Sequence, residues 1–224
     1  MSETIELGPL RLDAMLLAGL LSAAVGLAMF KIWLSRSSLQ GETNWMDIAL
    51  NAVICTIIGW KLAFLVRDPE LLWERPSALL LVRGSATDTA FGFLLACAYV
   101  AYAGRKRNIP LKKLLDVWPY AIIPGCIVWT LLTDFPYAIP YALLLACVYG
   151  ILFRTGASSR IGSGETASLS LLGTGIGGLF VSLFAAYPPG TLPALTFGLT
   201  MLQWLFIALS FIGILMPRKV RING

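Results

Sequence analysis

The chain contains no histidine in 224 residues, and only 13% of its residues are charged. The first absence removes the side chain best suited to proton transfer near neutral pH, which is also the commonest metal ligand. The second excludes an ordinary soluble domain, in which about a quarter of residues carry charge. No long linker and no internal repeat interrupts the chain, and nothing alternates at period two as a membrane barrel strand would. Cys55, Cys97, Cys126 and Cys147 fall one each in separate apolar runs. They form no CxxC pair and have no histidine to complete a zinc site. Inside a membrane such thiols behave as small apolar residues.

What the chain has instead is apolar length. Hydrophobic residues make up 58% and the mean hydropathy is +0.79. They come in runs close to the roughly 20 residues that a helix needs to cross hydrocarbon. Seven runs are expected to span, at about 14–34, 46–66, 87–103, 115–133, 137–153, 167–187 and 194–216. The fold class is therefore an all-α integral membrane protein, one polytopic domain over 1–224. Glu3, Glu6 and Asp13 precede the first run where a cleavable signal would carry positive charge.

The net charge of +5 acts as a topology signal, with no nucleic-acid partner implied. Arg36, Arg105, Lys106, Arg107, Lys112, Lys113, Arg154, Arg160, Arg218, Lys219 and Arg221 fall on alternate loops. The other loops hold Arg11, Arg67, Arg75 and Arg83 mixed with acids. Positive-inside bias then places the N-terminus outside and the C-terminus in the cytoplasm. A basic patch at that leaflet also favours anionic lipid headgroups.

Several positions invite two readings. Gly173, Gly175, Gly177 and Gly178 crowd the sixth run, either for tight helix packing or to leave a lipid groove. Pro124 is expected to kink the fourth, and the Gly- and Ser-rich loop from Arg154 to Glu165 reads as flexible. Ala78–Val82, apolar but short, lies along the interface or dips in. Lys61, inside its run, and Asp88, opening the next, are intramembrane charges. They snorkel, pair structurally, or form a phospholipid-headgroup site with Arg75 and Arg83 nearby.

Ordered motifs carry a resemblance to a known family. Leu7-Gly-Pro-Leu10, Gly59-Trp-Lys-Leu62, Asp68-Pro-Glu70, Pro76, the basic stretch from Arg105 to Leu115-Asp116, and Leu199-Thr-Met-Leu-Gln203 with Gly213 follow one another in sequence. In this order they resemble the prolipoprotein diacylglyceryl transferases of bacteria, which move diacylglycerol from phosphatidylglycerol onto a lipoprotein cysteine. The resemblance implies that family's fold in a bacterial cytoplasmic membrane, with no metal or cofactor. It also implies where chemistry should be, and there the polar set is gone. The family's histidine falls on Thr87, its signature arginine and asparagine on Thr130 and Thr133, its sixth-span arginine, glutamate and second arginine on Gly178, Ser182 and Ala185, and its first-span tyrosine on Met15. Arg160-Ile-Gly-Ser-Gly-Glu165 lies too far along the chain to replace that signature.

Transfer requires a phosphate clamp, for which arginine is suited, and a base to activate the thiol. With both missing from the spans, the expectation is a catalytically degenerate relative that binds phospholipid, such as phosphatidylglycerol, or a membrane-protein or lipoprotein partner. The alternative is an active diacylglyceryl transferase whose site is redrawn around Lys61, Asp88, Arg75 and Arg83.

Overall fold

The computed structural model describes residues 4–7, 10–39, 41, 43–67, 69, 86–133, 135, 137–155, 161–185 and 193–216. Within them the chain is helical apart from two small antiparallel hairpins. β1 (Thr4–Leu7) pairs with β2 (Leu10–Asp13) and leads directly into α1 (Ala14–Arg36). Next come α2 (Trp45–Arg67), α3 (Ala86–Lys106), α4 (Leu111–Val117), α5 (Pro119–Leu132), α6 (Ala138–Thr155) and α7 (Glu165–Leu183). The second hairpin, β3 (Leu195–Thr196) with β4 (Leu199–Thr200), precedes α8 (Met201–Leu215).

Four stretches are long and apolar enough to cross a membrane: α1, Trp45–Ala63 of α2, Leu111–Leu132, and α7. α6 and α8 are apolar but shorter. α3 reaches 21 residues, yet it opens Ala-Thr-Asp-Thr and closes Arg-Lys, which dilutes its apolar stretch. Large apolar side chains face outward on every long helix, among them Leu20, Leu94, Phe180 and Ile212. A soluble monomer rarely exposes apolar area on this scale, whereas lipid tails would cover it.

Two expectations about where runs begin are corrected locally. The fourth run begins earlier than expected, because α4 joins α5 as one rod through helical Trp118, and Pro119 marks the join since it has no N–H to give. The helix continues through Pro124. The last run is not helical from 194. Phe197 and Gly198 both take positive φ (53° and 80°), the turn that closes a two-residue hairpin, and the helix waits for Thr200 to cap it.

The main core sits at one end of the molecule. Phe30 and Trp33 of α1, Trp45 and Ile48 of α2, Val117 of α4 and Tyr120 of α5 are buried together there. The Trp33 and Tyr120 rings stack at 4.0 Å, and the Tyr120 hydroxyl donates to the Leu152 carbonyl at 3.1 Å. Arg36, Arg105, Lys106, Arg107, Lys112 and Arg154 cluster around the same helix ends, here called the basic end.

Asp116, 0% exposed, also lies at this end. Its carboxylate accepts from the N–H groups of Gly162 (2.7 Å), Gly164 (2.9 Å) and Ala167 (2.9 Å). Gly162 and Gly164 hold φ of 93° and 84°, values that favour glycine, so the turn can aim its donors inward. The end of the loop that reads as flexible in the sequence is therefore pinned, while 156–160 lie outside the described residues. An anion at the N-terminus of α7 also meets the positive end of the helix dipole. Ser168 then donates to the Gly213 carbonyl at 2.7 Å, fastening α7 to the far end of α8.

Asp116→Ala leaves three backbone donors without their acceptor and should destabilise the protein by about 3 kcal/mol or more. Thermal unfolding in micelles measures this, and an unchanged midpoint would remove Asp116 from that role.

Candidate functional site

Glycines set how closely the helices approach. A Cβ placed on Gly26 would lie 2.7 Å from the Ala121 carbonyl oxygen, and one on Gly125 would lie 3.0 Å from that of Ser22, so α1 and α5 meet backbone to backbone. A Cβ on Gly59 would fall 2.8 Å from the Gly92 Cα, and one on Gly92 would strike the Thr56 carbonyl, which locks α2 to α3 in the same way. Such contacts hold helices together where lipid removes the hydrophobic drive between them. The two pairs meet each other sparsely, sharing chiefly the core at the basic end.

Between the pairs lies an apolar groove of about 550 Å³, floored by α4. Its walls mix small residues, Ala23 of α1, Ala49 and Ala52 of α2, Ala96 and Ala101 of α3 and Ala121 of α5, with larger ones such as Phe93 of α3 and Trp129 of α5. Ser22 and Thr56 also line it, but their hydroxyls donate to the Ala18 and Ala52 carbonyls at 2.7 and 2.9 Å on their own helices. Leu111, Leu114, Leu115 and Trp118 form the floor. Its volume is in the range of small-molecule sites, about 300–1,000 Å³, and its lining suits a hydrocarbon chain.

The glycines of the sixth run do not form this groove. Cβ atoms on Gly173 and Gly177 would strike Val148 and Leu144 of α6, and those on Gly175 and Gly178 would strike Ser210 and Phe206 of α8. Of the two sequence readings, close packing is the one the geometry supports.

The residues singled out from sequence are dispersed. Lys61 is half-buried, with Nζ 4.6 Å from the Trp60 ring centre. Asp88 is 4% exposed in the first turn of α3, where a carboxylate suits the helix dipole. Because Gly59 touches Gly92, Lys61 and Asp88 share one end of the α2–α3 pair, the end away from the core. Arg75, Arg83 and the segment Ala78–Val82 lie outside the described residues. Met15 and Thr87 are exposed.

The remaining hydroxyls are committed to local backbone. Thr130 donates to the Ile127 carbonyl (2.9 Å), Thr133 to that of Trp129 (2.7 Å) and Ser182 to that of Leu179 (2.6 Å). A small polar cluster joins α7 to α8 near Gly178 and Ser182. Gln203 accepts from the Thr200 N–H through Oε1 (2.9 Å) and donates through Nε2 to the Ser182 hydroxyl (3.2 Å). Thr200 in turn accepts from the Gln203 N–H at 3.2 Å, closing a capping box.

The groove was the feature missed from sequence. Its signal is present as small residues at helical spacing: Ala49, Ala52 and Thr56 on α2, Ala96 and Cys97 on α3, Ser22 and Gly26 on α1. Any one of these series reads equally well as packing, and only their convergence shows otherwise. Comparison of the chain with protein-family models, with curated proteins and with solved structures finds no match.

Gln203→Ala opens the capping box and removes the donor to the Ser182 hydroxyl, and should cost about 1 kcal/mol. Gln203→Glu, which keeps the acceptor, should cost less. Unfolding midpoints of the two variants compare directly, and equal midpoints would show that the cap contributes nothing.

Proposed function

We propose that this chain is a phospholipid-binding membrane protein built on a scaffold like that of the prolipoprotein diacylglyceryl transferases and lacking their transfer chemistry. The observation that carries the reading is the apolar groove between the α1–α5 and α2–α3 pairs. It lies among helices whose outward faces are themselves apolar. Seven spans complete the picture, with α3, α6 and α8 crossing beside the four longer stretches. The basic end faces the cytoplasm of a bacterial cell, in keeping with positive-inside bias.

Loss of catalysis follows from the side chains at the positions the resemblance marks. A thiol attacking a diacylglyceryl carbon needs a base to take its proton and a cation to hold the departing phosphate. Thr130, Thr133 and Ser182 offer hydroxyls that already donate to nearby carbonyls, and Gly178 lies under the Phe206 ring. A membrane protein or lipoprotein that uses the bound lipid is the partner this reading calls for. The opposing reading, a redrawn transferase, draws on buried Asp88 at the same end of the α2–α3 pair as Lys61.

Purified protein incubated with labelled phosphatidylglycerol and a lipobox peptide should give no diacylglyceryl peptide by mass spectrometry. Product above background overturns the non-catalytic reading. Loss of that product in Lys61→Ala and Asp88→Ala would then place the chemistry on those two residues.

A further inference from the structure

We infer that the hairpin of β3 and β4 is a membrane anchor, lying in the headgroup layer of the leaflet away from the basic end and sinking Phe197 among the acyl chains. The inference requires only that the helices stand in a bilayer. It is independent of the groove and of any lipid held there.

The first observation is conformational. Phe197 and Gly198 form the tip of the hairpin, with φ of 53° and 80°. Two-residue turns of this kind ordinarily take asparagine, aspartate or glycine at the first position, and a bulky side chain there is strained. The Phe197 ring is 92% exposed, so no packing within the chain offsets that strain. In water the exposed phenyl would add a second cost, whereas among acyl chains it gains apolar burial. Leu195 of β3 and Met201, which follows β4, are exposed as well, and Thr196 adds one exposed hydroxyl.

The second observation is charge. From Thr166 to Pro217 the sequence holds no charged residue. Apart from the α4–α5 join, every other connection between helices carries at least one, Glu42, Asp68, Arg107, Asp134 and Arg160 among them. A connection standing in water has no reason to avoid charge over such a length. One pressed against hydrocarbon does, because taking a charge out of water is costly.

The third observation is depth. Ser168 donates to the Gly213 carbonyl near the basic end, while Gln203 donates to the Ser182 hydroxyl at the other. The hairpin therefore stands at the end away from the basic one. With 15 residues α8 covers about 22 Å, short of the roughly 30 Å of hydrocarbon. Arg218 and Lys219 follow it closely in sequence and hold its end at the basic surface. Its first turn thus starts near the boundary between acyl chains and the far headgroups. The Trp204 indole donates to the Thr196 carbonyl at 3.0 Å, which leans the hairpin on that turn and keeps it at the same level. The outward N–H and C=O groups of a two-stranded hairpin are not tolerated in hydrocarbon. The backbone accordingly belongs in the hydrated layer, and only the side chains reach deeper.

Full-length protein with the substitution Phe197→benzoylphenylalanine is placed in vesicles of phosphatidylcholine alone and irradiated. Its intact mass should rise by one phospholipid, and fragmentation should put the new bond on an acyl chain. Phe180→benzoylphenylalanine, on the outward face of α7, is the lipid-facing reference. A lipid adduct at Phe180 with none at Phe197, or a bond to the choline headgroup, overturns the inference. An adduct to a second copy of the chain overturns it in favour of self-association. In native membranes, an adduct to another protein in place of lipid overturns it in favour of a protein partner. Phe197→Asn adds a test by sign, since asparagine relieves the left-handed backbone but carries a polar amide into the acyl layer. Anchoring predicts a lower unfolding midpoint for F197N in these vesicles, and a raised or unchanged midpoint overturns it. Each measurement decides alone where the other variant does not fold.

Discussion

One buried carboxylate connects parts of the molecule that would otherwise share few contacts. Asp116 sits in the last turn of the short α4 and accepts from three backbone N–H groups in the turn before α7 and its first residues. A charge removed from water is costly unless hydrogen bonds replace its hydration, and here the donors come from a helix N-terminus whose N–H groups otherwise lack partners. The arrangement fixes α7, and Ser168 passes the constraint on to α8 through the Gly213 carbonyl. It fixes α4 as well, so the floor of the groove is held by a bond network outside the groove itself.

Around that anchor, glycine decides where helices touch and alanine where they stand apart. Gly26 with Gly125, and Gly59 with Gly92, bring backbones into contact. Alanines on the facing sides of the two pairs help to leave a gap, which larger side chains such as Phe93 and Trp129 also line. In water a gap lined with alanine would collapse or fill with larger side chains. In a bilayer the surrounding solvent is itself hydrocarbon, so the same gap joins the environment and is compatible with a stable fold.

The general character of the fold was legible in the sequence because it depends on length and polarity. A run such as 14–34 has few structural alternatives, and α1 covers it. Element ends were less legible, since they depend on single residues. Phe197 and Gly198 turned an expected helix start into a hairpin, and the fourth stretch starts at Leu111, ahead of the expected 115. The dependence of the turn before α7 on Asp116 joins residues more than 40 positions apart, which no local pattern encodes. The candidate site was the least legible part. Lys61 and Asp88 drew attention because charge in an apolar run is rare, whereas the groove is made of ordinary residues whose importance comes only from facing one another. Gly59 and Gln203, two of the residues that carry the resemblance, serve here in helix contact and capping.

The placement of the aromatic core has a mechanical consequence. Among the described residues, Phe30, Trp33, Trp45 and Tyr120 join the two glycine-packed pairs at one end. Each pair is stiff within itself, so the softest relative motion is a swing of one pair against the other about that aromatic joint. Such a swing hardly moves the hinge and moves the far ends most, widening or narrowing the slot between the pairs without breaking a hydrogen bond within any helix. By this argument local opening should cost most at the charged end, where the described core is densest.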